Sequence, residues 1–124
     1  AYGIAGTKTP AEAIAEIDGN RALLAEYRVE STWFRSGTAH YDDVAVDIAR
    51  ERGVTIAGFS VNADVGATAA ADHVASAIMH APDGAIVLAH MNHPTSGTGP
   101  GVRRALERLR DDAVRFTFLD GSWP

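Results

Sequence analysis

The stretch Ala-Ile-Val-Leu-Ala-His-Met-Asn-His, from Ala85 to His93, is the most informative part of this sequence. Its first five residues form an apolar run typical of a strand buried in a parallel sheet, and His90 follows where that strand ends. Catalytic residues of α/β enzymes gather at the carboxyl ends of such strands. Because a histidine side chain exchanges protons near neutral pH, His90 is the first candidate for a catalytic residue. The alternative is a histidine that only packs.

The composition predicts one globular domain. The chain has 124 residues, of which 46% are hydrophobic, enough for a core. Its net charge is -5 and no basic stripe is interleaved with aromatic residues, so a nucleic-acid partner is not expected. The absence of cysteine excludes disulfides and thiolate metal sites. No apolar run approaches the roughly 20 residues of a membrane span.

Helices and strands are predicted to alternate along the chain. A capping box from Thr9 to Glu12, with proline at the first helical position, predicts a helix over 10–26. Further helices are predicted over 42–50 and 69–80, and from Thr98 onward with Val102, Leu106 and Leu109 buried. Strands are predicted over 32–34, 54–60, 85–89 and 114–119.

Alternating strands and helices predict right-handed crossovers and a parallel sheet, in which all strands end at the same edge. The residues that follow the four strands are Arg35, Asn62 and Asp64, His90 and Asp120. This edge would therefore carry a guanidinium, carboxylates and an imidazole. Taken singly, Arg35 is also compatible with a surface position and Asp64 with a turn.

Two other patterns near His90 have simpler explanations. His93 follows His90 by three residues, but Pro94 makes this segment a loop, so a metal site built by the two histidines is not expected. The glycine-rich turn from Gly97 to Gly101 lacks the lysine of a phosphate-binding loop, and helix capping explains it.

Three segments carry a family resemblance: Trp33-Phe34-Arg35-Ser36, the segment from Phe59 to Asp64, and Leu88-Ala89-His90. They are similar to the Arg motif, the Asp motif and the Leu-x-His motif, respectively, of the polysaccharide deacetylases of the NodB-homology type, carbohydrate esterase family 4. The family's domain is a distorted β/α barrel. The resemblance therefore implies an α/β fold in which residues 1–124 are one unit of parallel β/α repeats, the C-terminal half of such a barrel.

The resemblance also implies roles for individual residues. His90 would be the general acid that protonates the leaving group, Asp64 would tune its protonation, and Arg35 would orient the catalytic base. Leu88 would line the pocket for the acetyl methyl group, with Ser36 and Asn62 also at the substrate. This sequence departs from the family pattern because Ser36-Gly37-Thr38 replaces the usual proline and aromatic residue, and because Asn62 and Asp64 are two residues apart.

The family's metal site has no counterpart in this sequence. Family members hold a divalent metal with one Asp and two His, and a second Asp serves as the base. Here no His-x-x-x-His pair occurs, and the Asp-Asp pairs at 42–43 and 111–112 lie on predicted helices. The resemblance therefore implies that a divalent metal such as zinc is liganded by residues outside this chain.

Strand counting points to the same missing part. Four β/α units cannot close a barrel that takes seven or eight strands, and unpaired apolar strand edges recruit partners. A second chain carrying the N-terminal half of the barrel is therefore expected.

The resemblance implies metal-dependent removal of N- or O-acetyl groups from a polysaccharide, outside the cell membrane of a bacterium, in secreted form or in the cell envelope. A non-catalytic glycan-binding or interaction domain with the same fold is the alternative. A serine hydrolase is disfavoured because no Gly-x-Ser-x-Gly motif occurs.

Overall fold

The computed structural model describes residues 8–119. It is a mixed structure of helices and short parallel strands. The chain divides into two compact units, Ala1–Gly58 and Phe59–Pro124, which are described separately below. No helix within residues 8–119 is long and apolar enough to cross a membrane.

The first unit contains two helices and two paired strands. Its elements are α1 (Pro10–Glu26), β1 (Trp33–Phe34), α2 (Asp43–Glu51) and β2 (Thr55–Ile56), and β1 pairs with β2 in parallel. The predicted capping box of α1 is confirmed, since the Thr9 hydroxyl accepts from the Glu12 N–H and the Glu12 carboxylate accepts from the Thr9 N–H. A small core joins the helices through Ala13, Ile17, Ala45 and Ile48.

The second unit also has two strands and two helices, in the order strand, helix, strand, helix. Its elements are β3 (Val61–Asn62), α3 (Ala71–Met79), β4 (Val87–Leu88) and α4 (Thr98–Asp111), and β3 pairs with β4 in parallel. The two helices pack against each other around Ala63, Val74, Ala75, Ile78, Ala105 and Leu109. This packing positions the start of α4 beside the end of β3.

The predicted single sheet of four strands is wrong. Between residues 8 and 119 the strands form two sheets of two strands each. Of the strand predicted over 54–60, only β2 forms, and the strand breaks off before Gly58. A separate strand, β3, follows it, so that Asn62 lies in a strand rather than in the predicted exit loop. Glycine in a strand pattern costs backbone entropy and offers no side chain for packing, which favours a break.

The strand predicted over 114–119 is also wrong. Residues 114–118 form no strand, and Val114, Phe116 and Phe118 are 46%, 53% and 58% exposed. A run of β-forming residues becomes a strand only when a neighbouring strand supplies hydrogen bonds, and none does so within residues 8–119.

The buried face of α4 agrees with the predicted one only in part. Thr98, Gly101, Ala105 and Leu109 are buried, whereas Leu106 is 44% exposed. Small residues define this face because α3 approaches closely: a Cβ on Gly101 would lie 2.5 Å from Cβ of Val74. Of the three residues predicted to be buried, Leu109 is confirmed, Val102 packs against the core while partly exposed, and Leu106 is wrong.

Candidate active site

The pairing register of β3 and β4 brings Asp64 and His90 to equivalent positions. Asn62 pairs with Leu88, and Asp64 and His90 each lie two residues further along their strands. The backbone hydrogen bonding continues for one residue, since Ala63 N–H donates to the Leu88 carbonyl at 3.0 Å. At the next step the Asp64 side chain replaces a backbone carbonyl and accepts from the His90 N–H at 2.7 Å.

A sharp turn holds Asp64 after β3. Val65, Gly66 and Ala67 have φ values of 52°, 71° and 66°, all in the left-handed region. A β-branched residue rarely adopts this conformation, so the Val65 backbone is strained. The Asn62 side-chain oxygen supports the turn by accepting the Val65 N–H at 3.1 Å. Strain of this kind is common where a fold must fix a functional side chain.

The Asp64 carboxylate is fully buried, with an exposed fraction of 0%, and every contact it makes is with a donor. Oδ1 lies 2.8 Å from the ring Nδ1 of His90. Oδ2 accepts from the His90 N–H at 2.7 Å and from the Thr98 hydroxyl at 2.8 Å. An ionised carboxylate can only accept, so the hydrogen shared with His90 belongs to Nδ1, and Nε2 is the ring nitrogen left for a substrate.

Burial and hydrogen bonding act on the pKa of Asp64 in opposite directions. Burial alone would raise the pKa, because removal from water disfavours the charged form. The His90 ring, the His90 N–H, the Thr98 hydroxyl and the Ala67 backbone stabilise the carboxylate, and together they hold its pKa well below the usual value. Asp64 is therefore an anion at neutral pH and faces the imidazole as a fixed negative charge.

Thr98 is the site residue that sequence analysis missed. Its side chain is 6% exposed and belongs to the first turn of α4. The sequence pattern attributed the segment from Gly97 to Gly101 to helix capping alone. The sequence did show a hydroxyl residue, Thr98, at the start of a predicted helix. Its role follows only once α4 is known to pack beside the end of β3.

A concave pocket of about 700 Å³ lies beside His90. Its wall is largely apolar and includes Met91, Pro94, Val102 and Leu106. Arg103 and Arg110 also line it, and each contacts a carboxylate, Glu107 at 3.0 Å and Asp111 at 3.3 Å respectively. Volumes of this size are typical of small-molecule sites.

Arg35 and Ser36 follow β1 in the first unit. Arg35 Nη1 donates to the Ser36 carbonyl at 3.2 Å. Ser36 is buried, its hydroxyl donates to the His40 carbonyl at 3.1 Å, and its N–H donates to the Tyr41 hydroxyl at 2.7 Å. The Ser36 hydroxyl thus holds its own loop together, and the role of Arg35 at the catalytic site stays a prediction.

The remaining predicted residues have varied positions. Leu88 is half-buried in β4, and the Asn62 side chain is engaged in the turn described above. Their contacts with substrate stay predictions. Asp120 lies outside the described residues.

No group of three or more His, Asp or Glu residues within residues 8–119 is arranged to hold a metal ion. The side chains at the pocket that could ligate a metal are His90, His93 and Glu107, and the ring of His90 is already hydrogen-bonded to Asp64. This part of the chain therefore does not fit a metal by itself.

Comparison with solved structures gives a clear fold match. A family 4 carbohydrate esterase from Streptomyces lividans, in complex with acetate, superposes with a TM-score of 0.81 at 17% sequence identity. The match covers 90% of this chain and 58% of that chain, so this chain spans a little over half of the esterase. Comparisons with protein-family models and with curated proteins found no match. The likeness supports the resemblance to family 4 carbohydrate esterases at the level of the fold.

Proposed function

We propose that this chain is part of a polysaccharide deacetylase that hydrolyses N- or O-acetyl groups on a glycan. The observation that carries the proposal is the buried Asp64–His90 pair at an apolar pocket, within a fold similar to that of a carbohydrate esterase. The pair is a typical arrangement for proton transfer, because a carboxylate orients the imidazole and stabilises its charged form.

His90 acts as the general acid. After water adds to the acetyl carbonyl, the bond between the carbonyl carbon and the sugar nitrogen or oxygen breaks. His90 in its doubly protonated, imidazolium form gives the Nε2 proton to that leaving atom and keeps the Nδ1 hydrogen that faces Asp64, and the acetyl carbon leaves as acetate. Asp64 stays ionised throughout, since its hydrogen bonds favour the anion. Leu88 lines the space for the acetyl methyl group and Asn62 contacts the sugar, whereas the buried Ser36, predicted at the substrate, holds the loop after β1 together.

The catalytic base and a divalent metal, zinc in this proposal, come from polypeptide outside this chain, with Arg35 orienting the base. Such a metal polarises a carbonyl and lowers the pKa of its bound water. The esterase that superposes on this chain has further residues outside the matched 58% of its length, and a corresponding polypeptide could carry the base and the metal ligands here. The proposal therefore includes a second chain that carries the N-terminal half of the barrel, and a location in the cell envelope or outside the cell.

The experiment is an acetate-release assay on acetylated chitin and xylan oligosaccharides, with the protein isolated together with any polypeptide that accompanies it. Intact-mass analysis identifies the companion. We expect acetate release that a chelator abolishes and zinc restores. Oligosaccharide binding without acetate release would overturn the proposal in favour of a glycan-binding module, and neither binding nor release would overturn both.

A further inference from the structure

The Asp64 carboxylate receives donors from two different elements. Its Oδ2 accepts from the His90 N–H, which follows β4, and from the Thr98 hydroxyl, which belongs to α4. We propose that Thr98 is a positioning residue for the Asp64–His90 pair, whose hydroxyl fixes the carboxylate in the rotation that presents Oδ1 to the ring Nδ1. The catalytic consequence rests on the proposed function, but the geometric claim does not.

The rotation of a carboxylate about its last bond is weakly restricted in isolation, so hydrogen bonds must set it. Without Thr98 the carboxylate would keep the His90 ring, the His90 N–H and the Ala67 backbone as donors, and two of these belong to the residue that it must orient. The Thr98 hydroxyl adds a donor from a separate helix, which restricts the rotation of the carboxylate independently of His90. Because Asp64 is completely buried, water cannot replace the hydroxyl if it is lost.

Glycines allow α4 to bring this hydroxyl within reach. A Cβ on Gly97 would lie 2.5 Å from the Ala69 carbonyl oxygen and 2.5 Å from the Ala71 nitrogen. One turn further, Gly101 lies equally close to Val74. The residues on both sides of Thr98 are thus small enough for the helix start to approach α3, which leaves Thr98 Oγ1 2.8 Å from Asp64. Helix capping does not account for this hydroxyl, because it donates to Asp64.

The test measures which ring nitrogen of neutral His90 carries the proton. Histidine-labelled protein is compared by long-range ¹H–¹⁵N NMR at one fixed neutral pH, as wild type, Thr98→Val, Thr98→Ser and the control Thr117→Val. His93, Arg103, Glu107 and Arg110 line the same pocket and are unchanged in every variant. Thr117 is exposed and lies outside the Asp64 contacts, so its variant controls for the change of hydroxyl to methyl.

We expect Thr98→Val to lower the ratio of the Nδ1–H to the Nε2–H form by about fivefold or more, as loss of one buried hydrogen bond implies. Thr98→Ser, which retains the hydroxyl, keeps the wild-type ratio, as does Thr117→Val. An unchanged ratio in Thr98→Val overturns the proposal. If Thr98→Val does not fold, Thr98→Ser decides: a wild-type ratio supports the hydroxyl, and a lowered ratio shows that the methyl group was responsible and overturns the proposal.

The same variants separate this inference from the proposed function. In the assembled enzyme, Thr98→Val lowers kcat about tenfold with KM unchanged, because a misplaced acid slows chemistry more than binding. If the protein proves not to be a deacetylase, the NMR ratio still tests Thr98. If the ratio is insensitive to Thr98, acetate release still tests the deacetylase.

Discussion

His90 contacts Asp64 at two points, once through its ring and once through its backbone. Nδ1 lies 2.8 Å from Oδ1 and the backbone nitrogen lies 2.7 Å from Oδ2. The imidazole is therefore fixed relative to the end of its own strand. Because Asp64 occupies Nδ1, Nε2 is the ring nitrogen through which His90 can exchange a proton with a substrate.

Acid should remove the stabilising contribution of Asp64. Folding lowers the pKa of this residue, so the unfolded chain binds the proton at a higher pH than the folded chain does. The contribution is complete above the unfolded pKa of about 4 and is lost as the pH falls below it. Asp64→Asn should therefore be less stable than wild type at neutral pH, by about 1–3 kcal/mol, and the difference should shrink in acid. Urea unfolding over a pH series measures it.

Asp72→Asn is the matched control. Asp72 lies exposed on α3 and pairs with Arg104, so its removal should leave the shape of the pH dependence unchanged. A gap between wild type and Asp64→Asn that stays constant down to acid pH would contradict the assignment of this dependence to Asp64.

The close contact of α3 and α4 should require glycine at position 101 of α4 but not at position 99. Alanine at Gly101 would place its Cβ 2.5 Å from Val74, so Gly101→Ala should cost about 1–3 kcal/mol through overpacking. Gly99 has no atom within 4 Å of the added Cβ, and Gly99→Ala should be neutral or stabilising. Denaturant midpoints compare the two. Equal midpoints for both variants would mean that the helices do not pack as described.

The apolar segment after α4 should make the isolated chain associate. Phe116 and Phe118 are both more than half exposed, and an apolar patch of this kind favours contact with a partner. We expect the double variant Phe116→Ser, Phe118→Ser to lower self-association and to weaken binding of a companion polypeptide. Sedimentation velocity measures both, with Tyr27→Ser as the control for loss of an exposed aromatic side chain. A wild-type chain that stays monomeric over the whole concentration range argues against this role.

Local signals in the sequence predicted the helices well. The capping box at Thr9 defines the start of α1, and Asp42 caps α2 as its position suggested. The position of His90 after a strand followed from residues 85–89, although that strand spans only Val87–Leu88 and is not buried as predicted, since Ile86 and Val87 are 40% and 37% exposed. These features depend on neighbours within a few residues, where sequence patterns are informative.

Features set by distant packing were not predictable in this way. The strand predicted over 114–119 does not form because pairing needs a partner strand. On α4, close contact with α3 buries Gly101 and Ala105 and leaves Leu106 exposed, contrary to the prediction for that residue. The contact of Thr98 with Asp64 joins residues 34 positions apart. Only the packed structure reveals it.

The central claim is that His90 protonates the leaving group, and the most direct measurement compares two substrates in the assembled enzyme. The amine of an N-acetyl sugar is a poor leaving group that must be protonated, whereas the p-nitrophenolate of p-nitrophenyl acetate leaves without protonation. We expect His90→Ala to lower kcat by about a hundredfold or more on the sugar and far less on the ester, while His80→Ala, at an exposed helix end, changes neither. Equal losses on both substrates, or no loss on the sugar, would contradict the account.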